Sequence, residues 1–306
     1  MPLPRVARVL LWLLGAVLLL ALSFSAATWW YLHPAVNRIN GVVYGQRHGQ
    51  PLAIDVLRPE SPNGRGVLVM ASGSWKSSGP GRFDLWIAAP LLRRGYTVFA
   101  VYHLSQPKAS VPEIVADVNR AVRFIRHHAR EYGIDPARLG VTGGSSGGHL
   151  SLMLATRGGP GPADAADPVD RESSAVQAVA CFFPPTDFLN YGTAGEDAVG
   201  VGILKNYKPA FGPEADTPEG RQKLGKEISP IYFITAKMPP TLIIHGDADK
   251  LVPIQQAESF VKRATEAGAK AKLIVKPGAA HGWKDREPDL AAMADWFDEH
   301  LRGTKK

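Results

Sequence analysis

The chain has 306 residues, with 35 Lys and Arg against 28 Asp and Glu and a formal charge of +7. Hydrophobic residues make up 45% and charged residues 21%, which excludes a disordered or collagen-like chain. The single cysteine, Cys181, cannot form an internal bridge, so a disulfide scaffold and a cysteine-based zinc module are excluded too.

Met1 to Arg8 carries two arginines and no acid, and Val9 to Leu22 is apolar or small throughout. With Ser23, Ser25 and Thr28 tolerated, the run reaches Leu32. As a helix it rises about 36 Å, enough to cross a bilayer core of about 30 Å. Trp29, Trp30 and Tyr31 fall where an interfacial aromatic belt forms, and the leading arginines predict an N-in orientation. The competing reading is a cleaved signal peptide, with Ser25-Ala26-Ala27 as the small-residue cleavage site. Residues 1–36 are thus expected to anchor the chain in a membrane or to export it. Either puts residues 37–306 outside the cytoplasm, on the periplasmic or extracellular side. Beyond Arg5, Arg8 and Arg38 in this arm the cations are spread thinly, with no basic run longer than Lys305-Lys306. Nucleic acid is therefore not an expected partner, because it requires a clustered patch.

Beyond Asn40, short β-branched runs alternate with amphipathic stretches. Leu52–Leu57, Gly66–Met70, Thr97–Tyr102, Arg138–Thr142, Val176–Phe183, Thr241–His245 and Ala271–Val275 read as strands, several of them apolar enough to be buried on both faces. Ile114, Val118, Ala121, Val122, Ile125 and Ala129 share one helical face, and Leu290, Met293, Ala294, Phe297 and Leu301 share another. Strand–helix alternation predicts a mostly parallel central sheet flanked by helices. Residues 186–237, rich in Gly, Pro and charge, break that rhythm and read as a small inserted lid.

Chemistry concentrates at Val141-Thr142-Gly143-Gly144-Ser145-Ser146-Gly147-Gly148-His149-Leu150, where Gly144-x-Ser146-x-Gly148 follows a predicted strand and opens a predicted helix. That context marks a nucleophile elbow, in which flanking glycines let a sharp turn lift the Ser146 hydroxyl clear of the sheet. The Gly147 N–H would then face a forming oxyanion. A phosphate loop is excluded, since G-x-G-x-x-G fails at Ser145 and no Gly-Lys-Ser/Thr follows.

A serine hydroxyl needs a base. Among nine histidines His281 is the candidate, in a loop after the last predicted strand and before the final helix. His127 and His128 ride a helix beside arginines, His33 and His48 belong to the stem and first strands, and His300 to a terminal helix. His149 reads as packing in the elbow helix, and His103 follows a strand and borders the pocket. An acid must hold the imidazole's orientation. Asp249, just past the run Ile243-Ile244-His245-Gly246-Asp247-Ala248, is the choice, with Asp247 a turn former and Asp187 an outside alternative. The order Ser146, Asp249, His281 is that of α/β-hydrolases.

From about Gly41 to Leu301 the chain resembles an α/β-hydrolase of the esterase/lipase group. Within that group it is most similar to bacterial feruloyl and acetylxylan esterase-like proteins, which overlap with the catalytic domain of prolyl oligopeptidase-type peptidases. The resemblance rests on Gly144-Ser145-Ser146-Gly147-Gly148, Ser229-Pro230, the stretch Pro239 to Asp249, and His281-Gly282-Trp283. Where that group usually has His-Gly-Gly-Gly-Trp after the third strand, this chain has Ala71-Ser72-Gly73-Ser74-Trp75. Backbone N–H groups of Gly73 and Ser74 are expected to join Gly147 in an oxyanion hole. The implied activity is cleavage of small-molecule carboxylic esters, short-chain or carbohydrate and aryl ones, through an acyl-enzyme, with neither cofactor nor metal. A serine peptidase and a non-catalytic binding protein of the same fold are the alternatives, and the oligomeric state is left open.

Overall fold

The computed structural model describes residues 4–302, so the Lys305-Lys306 pair lies outside it. Its strands are β1 (Val36–Arg47), β2 (Gln50–Pro59), β3 (Gly66–Met70), β4 (Thr97–Val101), β5 (Leu139–Gly144), β6 (Ala178–Phe182), β7 (Thr241–Gly246) and β8 (Ala271–Lys276). Its α-helices are α1 (Arg5–Leu32), α2 (Leu85–Arg93), α3 (Val111–His127), α4 (Ala129–Tyr132), α5 (Ser146–Arg157), α6 (Pro168–Arg171), α7 (Pro218–Ile228), α8 (Gln255–Glu266) and α9 (Glu287–Phe297). One sheet holds all the strands in the order β1-β2-β4-β3-β5-β6-β7-β8. β2 is antiparallel to β1 and β4, and every pairing from β4 to β8 is parallel.

The apolar runs of the sequence became strands because both faces of the sheet are covered. Leu68, Met70, Phe99 and Val101 point to one core with α3, α5 and α8. Their neighbours Val67, Val69, Val98 and Ala100 point to a second core with α2 and α9. Each such side chain contributes about 1.5–3 kcal/mol by leaving water, so a charge anywhere on these strands is strongly disfavoured. β1 escaped the sequence reading because it is an edge strand with a single fully buried side chain, Tyr44. Arg38, assigned to the N-terminal arm, belongs to β1 and pairs with the buried Asp55 at 2.9 Å. Asp55 also accepts from Gly41 N–H, Gly81 N–H and the Tyr102 hydroxyl, which ties the β1–β2 hairpin to the loop before α2. Burial raises the Asp55 carboxyl, but Arg38 and these donors outweigh it and hold the carboxyl below its usual range.

Between β6 and β7 the chain forms short 3₁₀ turns and α7. The segment is fastened by aromatic packing: Trp75 lies 6.0 Å from Phe188 and 5.4 Å from Phe211, ring centre to ring centre. α1 stands apart from both cores. Its 28 residues include no buried one, and Leu10, Trp12, Leu20 and Phe24 are all exposed. So long an apolar surface needs an apolar surrounding that the other described residues do not supply.

Candidate active site

β5 ends at Gly144 and α5 begins at Ser146, so the reversal falls on the residue between them. Ser145 has φ +54° and ψ −120°, a conformation a non-glycine residue adopts only when its surroundings enforce it. Two G-x-S-x-G frames overlap in this stretch, and sterics choose between them. A Cβ on Gly143 would lie 2.5 Å from the Gly147 carbonyl carbon, so the residues two before and two after Ser145 touch backbone to backbone. The frame is therefore Gly143-x-Ser145-x-Gly147, one residue earlier than the sequence reading placed it.

The hydrogen bonds follow that register. His281 Nε2 lies 3.0 Å from Ser145 Oγ, while His281 Nδ1 lies 2.7 Å from Asp249 Oδ2. Ser146, expected to face His281, is instead buried, and its hydroxyl is committed elsewhere. It accepts from Trp75 N–H at 3.0 Å and lies 3.1 Å from Ser72 Oγ. Ser72 Oγ in turn lies 2.8 Å from His103 Nε2, and His103 Nδ1 faces the Leu104 carbonyl at 2.9 Å. Because Nδ1 sees only a carbonyl it carries the hydrogen, so protons run from Ser146 to Ser72 to His103 Nε2. Burial pushes His103 down to about 4, which keeps Nε2 free to accept.

Asp249 holds its place through Oδ1, which accepts from Leu251 and Val252 N–H, both at 2.9 Å. Burial raises its carboxyl, yet the contacts with His245 and His281 and the Val252 N–H together bring it well below the usual range. Of the alternatives, Asp247 accepts from Gly278 N–H in a turn and Asp187 bonds Leu189, Asn190 and Tyr232 at the base of the β6–β7 segment. Phe183 packs against His281 edge to face at 4.7 Å. His149 accepts from Trp75 Nε1–H and donates to the Ile228 carbonyl, the packing role expected of it.

The expected oxyanion donors also shift. The N–H following the turning residue is that of Ser146, not Gly147. Gly73 N–H is already taken by the Lys76 carbonyl at 2.9 Å, in a bridge that Lys76 N–H returns to Gly73. Ser74 N–H has no partner among the described residues, and Ser74 sits at φ +54°. Ser74, Ser145 and Ser146 border a recess of about 20 Å³ walled by Tyr191, Leu204 and Tyr207. On its other side Ser145 borders a cavity of about 410 Å³ with Met70, Phe83, Trp86, Phe182 and Met293 in its walls. Among the described residues no group of three or more His, Cys, Asp or Glu is arranged to hold a metal ion.

The sheet order, the strained serine between strand and helix, and the chain order serine, acid, histidine define an α/β-hydrolase. Comparison with known proteins narrows this: the chain belongs to the BD-FAE family, which it matches over residues 54–264. It is 28% identical over 224 residues to the probable carboxylic ester hydrolase LipM of Mycobacterium tuberculosis, covering 72% of this chain and 50% of that protein. Esterase LipQ of the same organism is 27% identical over 254 residues, covering 80% of this chain and 56% of that one. The chain thus spans about half the length of the curated relatives it matches. Among solved structures, a truncated carbohydrate esterase from gut microbiota superimposes with a TM-score of 0.75 at 28% identity, covering 88% of this chain and 99% of that one.

Proposed function

We propose that this protein is a carboxylic ester hydrolase in which Ser145 is the nucleophile, His281 the general base and Asp249 the group that orients it. The observation that carries the reading is the 3.0 Å contact between His281 Nε2 and the Ser145 hydroxyl, on a serine held in a strained turn. His281 takes the Ser145 proton as Oγ attacks the ester carbonyl. The oxyanion settles between the N–H groups of Ser146 and Ser74, donors that need not reorganise as charge develops. Asp249 stabilises the imidazolium, which gives its proton to the departing alkoxide. Water, deprotonated by the same nitrogen, then cleaves the acyl-enzyme. The acyl group takes the recess beside Ser74, whose roughly 20 Å³ admits about one methyl group. The alcohol part takes the larger cavity. The names of the relatives, carboxylic ester hydrolase and carbohydrate esterase, favour esters over peptides.

The same reading has α1 anchoring the chain in a membrane or exporting it, with the catalytic domain outside the cytoplasm, and the β6–β7 segment acting as a lid.

The test is hydrolysis of p-nitrophenyl esters from acetate to palmitate by wild type, Ser145→Ala and Ser146→Ala. Turnover should peak at acetate or propionate. It should fall by about 10⁴-fold or more in Ser145→Ala, and by no more than about tenfold in Ser146→Ala, which loses two supporting hydrogen bonds, to Trp75 N–H and Ser72 Oγ, but no reacting group. The opposite ranking would return the nucleophile to Ser146.

A further inference from the structure

The large cavity beside Ser145 carries an excess of positive charge. Three cationic side chains line it, Lys76, Arg82 and Arg286, against one acid, Asp84. They come from three places: the loop bridged to Gly73, the residues just before α2, and the residue that precedes α9. None makes an ion pair within 4.0 Å or a side-chain hydrogen bond among the described residues, although most other arginines of the catalytic body do. Arg286 is only half exposed, and its guanidinium lies 4.9 Å over the Trp86 ring. Stacking of this kind orients the flat group while leaving its N–H donors free. Lys76 and Arg82 are exposed to solvent, whereas Arg286 is partly buried above apolar and aromatic walls, so its field is the least screened of the three.

We infer that the cavity selects esters whose alcohol part bears a carboxylate: an apolar or ring-shaped body lies against Trp86 and Phe83, with the anion toward Arg286, Lys76 and Arg82. This rests on the assignment of Ser145 as nucleophile and specifies the substrate class of that site. A neutral alcohol leaves the partly buried Arg286 without a partner, whereas an acidic one pairs with a guanidinium already oriented on Trp86 and draws in the exposed Lys76 and Arg82.

The test compares 4-acetoxybenzoate with its neutral methyl ester, using the full-length protein. Both carry the same acetyl group, and the quantity read is the ratio of kcat/KM for the anionic over the neutral ester. Intrinsic differences in leaving group cancel when that ratio is compared between proteins. It should fall by about fivefold in Arg286→Gln and further in Arg286→Gln with Lys76→Gln. In wild type it should also decline as salt is raised. The same pair of measurements on acetylated methyl glucuronoside and acetylated methyl glucoside tells a sugar acid from an aromatic one. A ratio unchanged by the substitutions on both substrate pairs, with wild type active, overturns the inference and leaves the esterase reading intact. Wild type inert toward every ester overturns the esterase reading itself, and the inference with it.

Discussion

His103 and His149 are imidazoles that the fold keeps uncharged. Burial lowers each to about 4, against 6.5 for a free histidine, and only a carbonyl contact opposes it. Between those values the unfolded chain binds protons that the folded chain refuses, so stability rises with pH across that window and is lost as pH falls from about 6.5 to about 4. Two such groups are worth up to about 3 kcal/mol each. Asp249 follows the same sign in a lower window: its carboxyl is depressed, so its contribution is lost as pH falls below about 4. Urea unfolding at stepped pH should therefore show a midpoint that drops steeply below pH 6.5. His149→Gln, which keeps a donor for the Ile228 carbonyl, should lower the slope by about one proton. A midpoint that stays flat from about pH 6.5 to 4 contradicts the assignment of both histidines as buried and neutral.

At the scale of elements, the strand-to-helix turn makes the sharpest demand on sequence. Gly143 and Gly147 meet backbone to backbone, and a Cβ on Gly147 would also come within 2.7 Å of the Met70 carbonyl oxygen. A Cβ on Gly144 would press on the edge of the Phe183 ring, at 3.3 Å, with Phe182 Cβ in ordinary contact at 3.9 Å. Gly143→Ala should thus push α5 off the end of β5 and remove esterase activity, while Gly144→Ala should keep activity within about tenfold, because one aromatic ring need move only a few tenths of an ångström. Comparable losses in the two variants would mean that the frame is not the one the close contacts select. This turn also shows where sequence reading stops. The six inner strands, β2 to β7, were legible because a sheet covered on both faces demands unbroken apolar runs, and the second edge strand, β8, was legible because Leu273-Ile274-Val275 happen to form one as well. β1 was not, since an edge strand whose side chains mostly meet water needs no such pattern. Two serines side by side in overlapping glycine frames look alike as letters, and only the position of the φ reversal separates them. Lys76, Arg82 and Arg286 are distant in the chain, so their convergence on one cavity exists only in the folded protein.

For the whole molecule, the connection between α1 and the sheet decides which way the site faces. α1 ends at Leu32 and β1 begins at Val36, paired with Pro59, two residues beyond the Leu57 that pairs with Val98. The helix therefore joins the sheet at the edge where β3, β4 and β5 begin, and Arg93, at the end of α2, lies over Trp30 at that edge. Ser145 sits past the other end of β5, about 20 Å away at a rise of about 3.3 Å per residue. With α1 in a bilayer, the site opens away from the lipid surface, and the three residues between helix and sheet are too few to turn the domain over. Full-length protein reconstituted in vesicles should then hydrolyse a water-soluble acetyl ester as fast as it does in detergent. It should leave an acetylated amphiphile in the same bilayer untouched, although detergent micelles present that amphiphile to the site. Cleavage of the embedded ester at a rate near that of the soluble one would mean that the domain lies over on the membrane, and that the edge carrying α1 is not the face turned toward it.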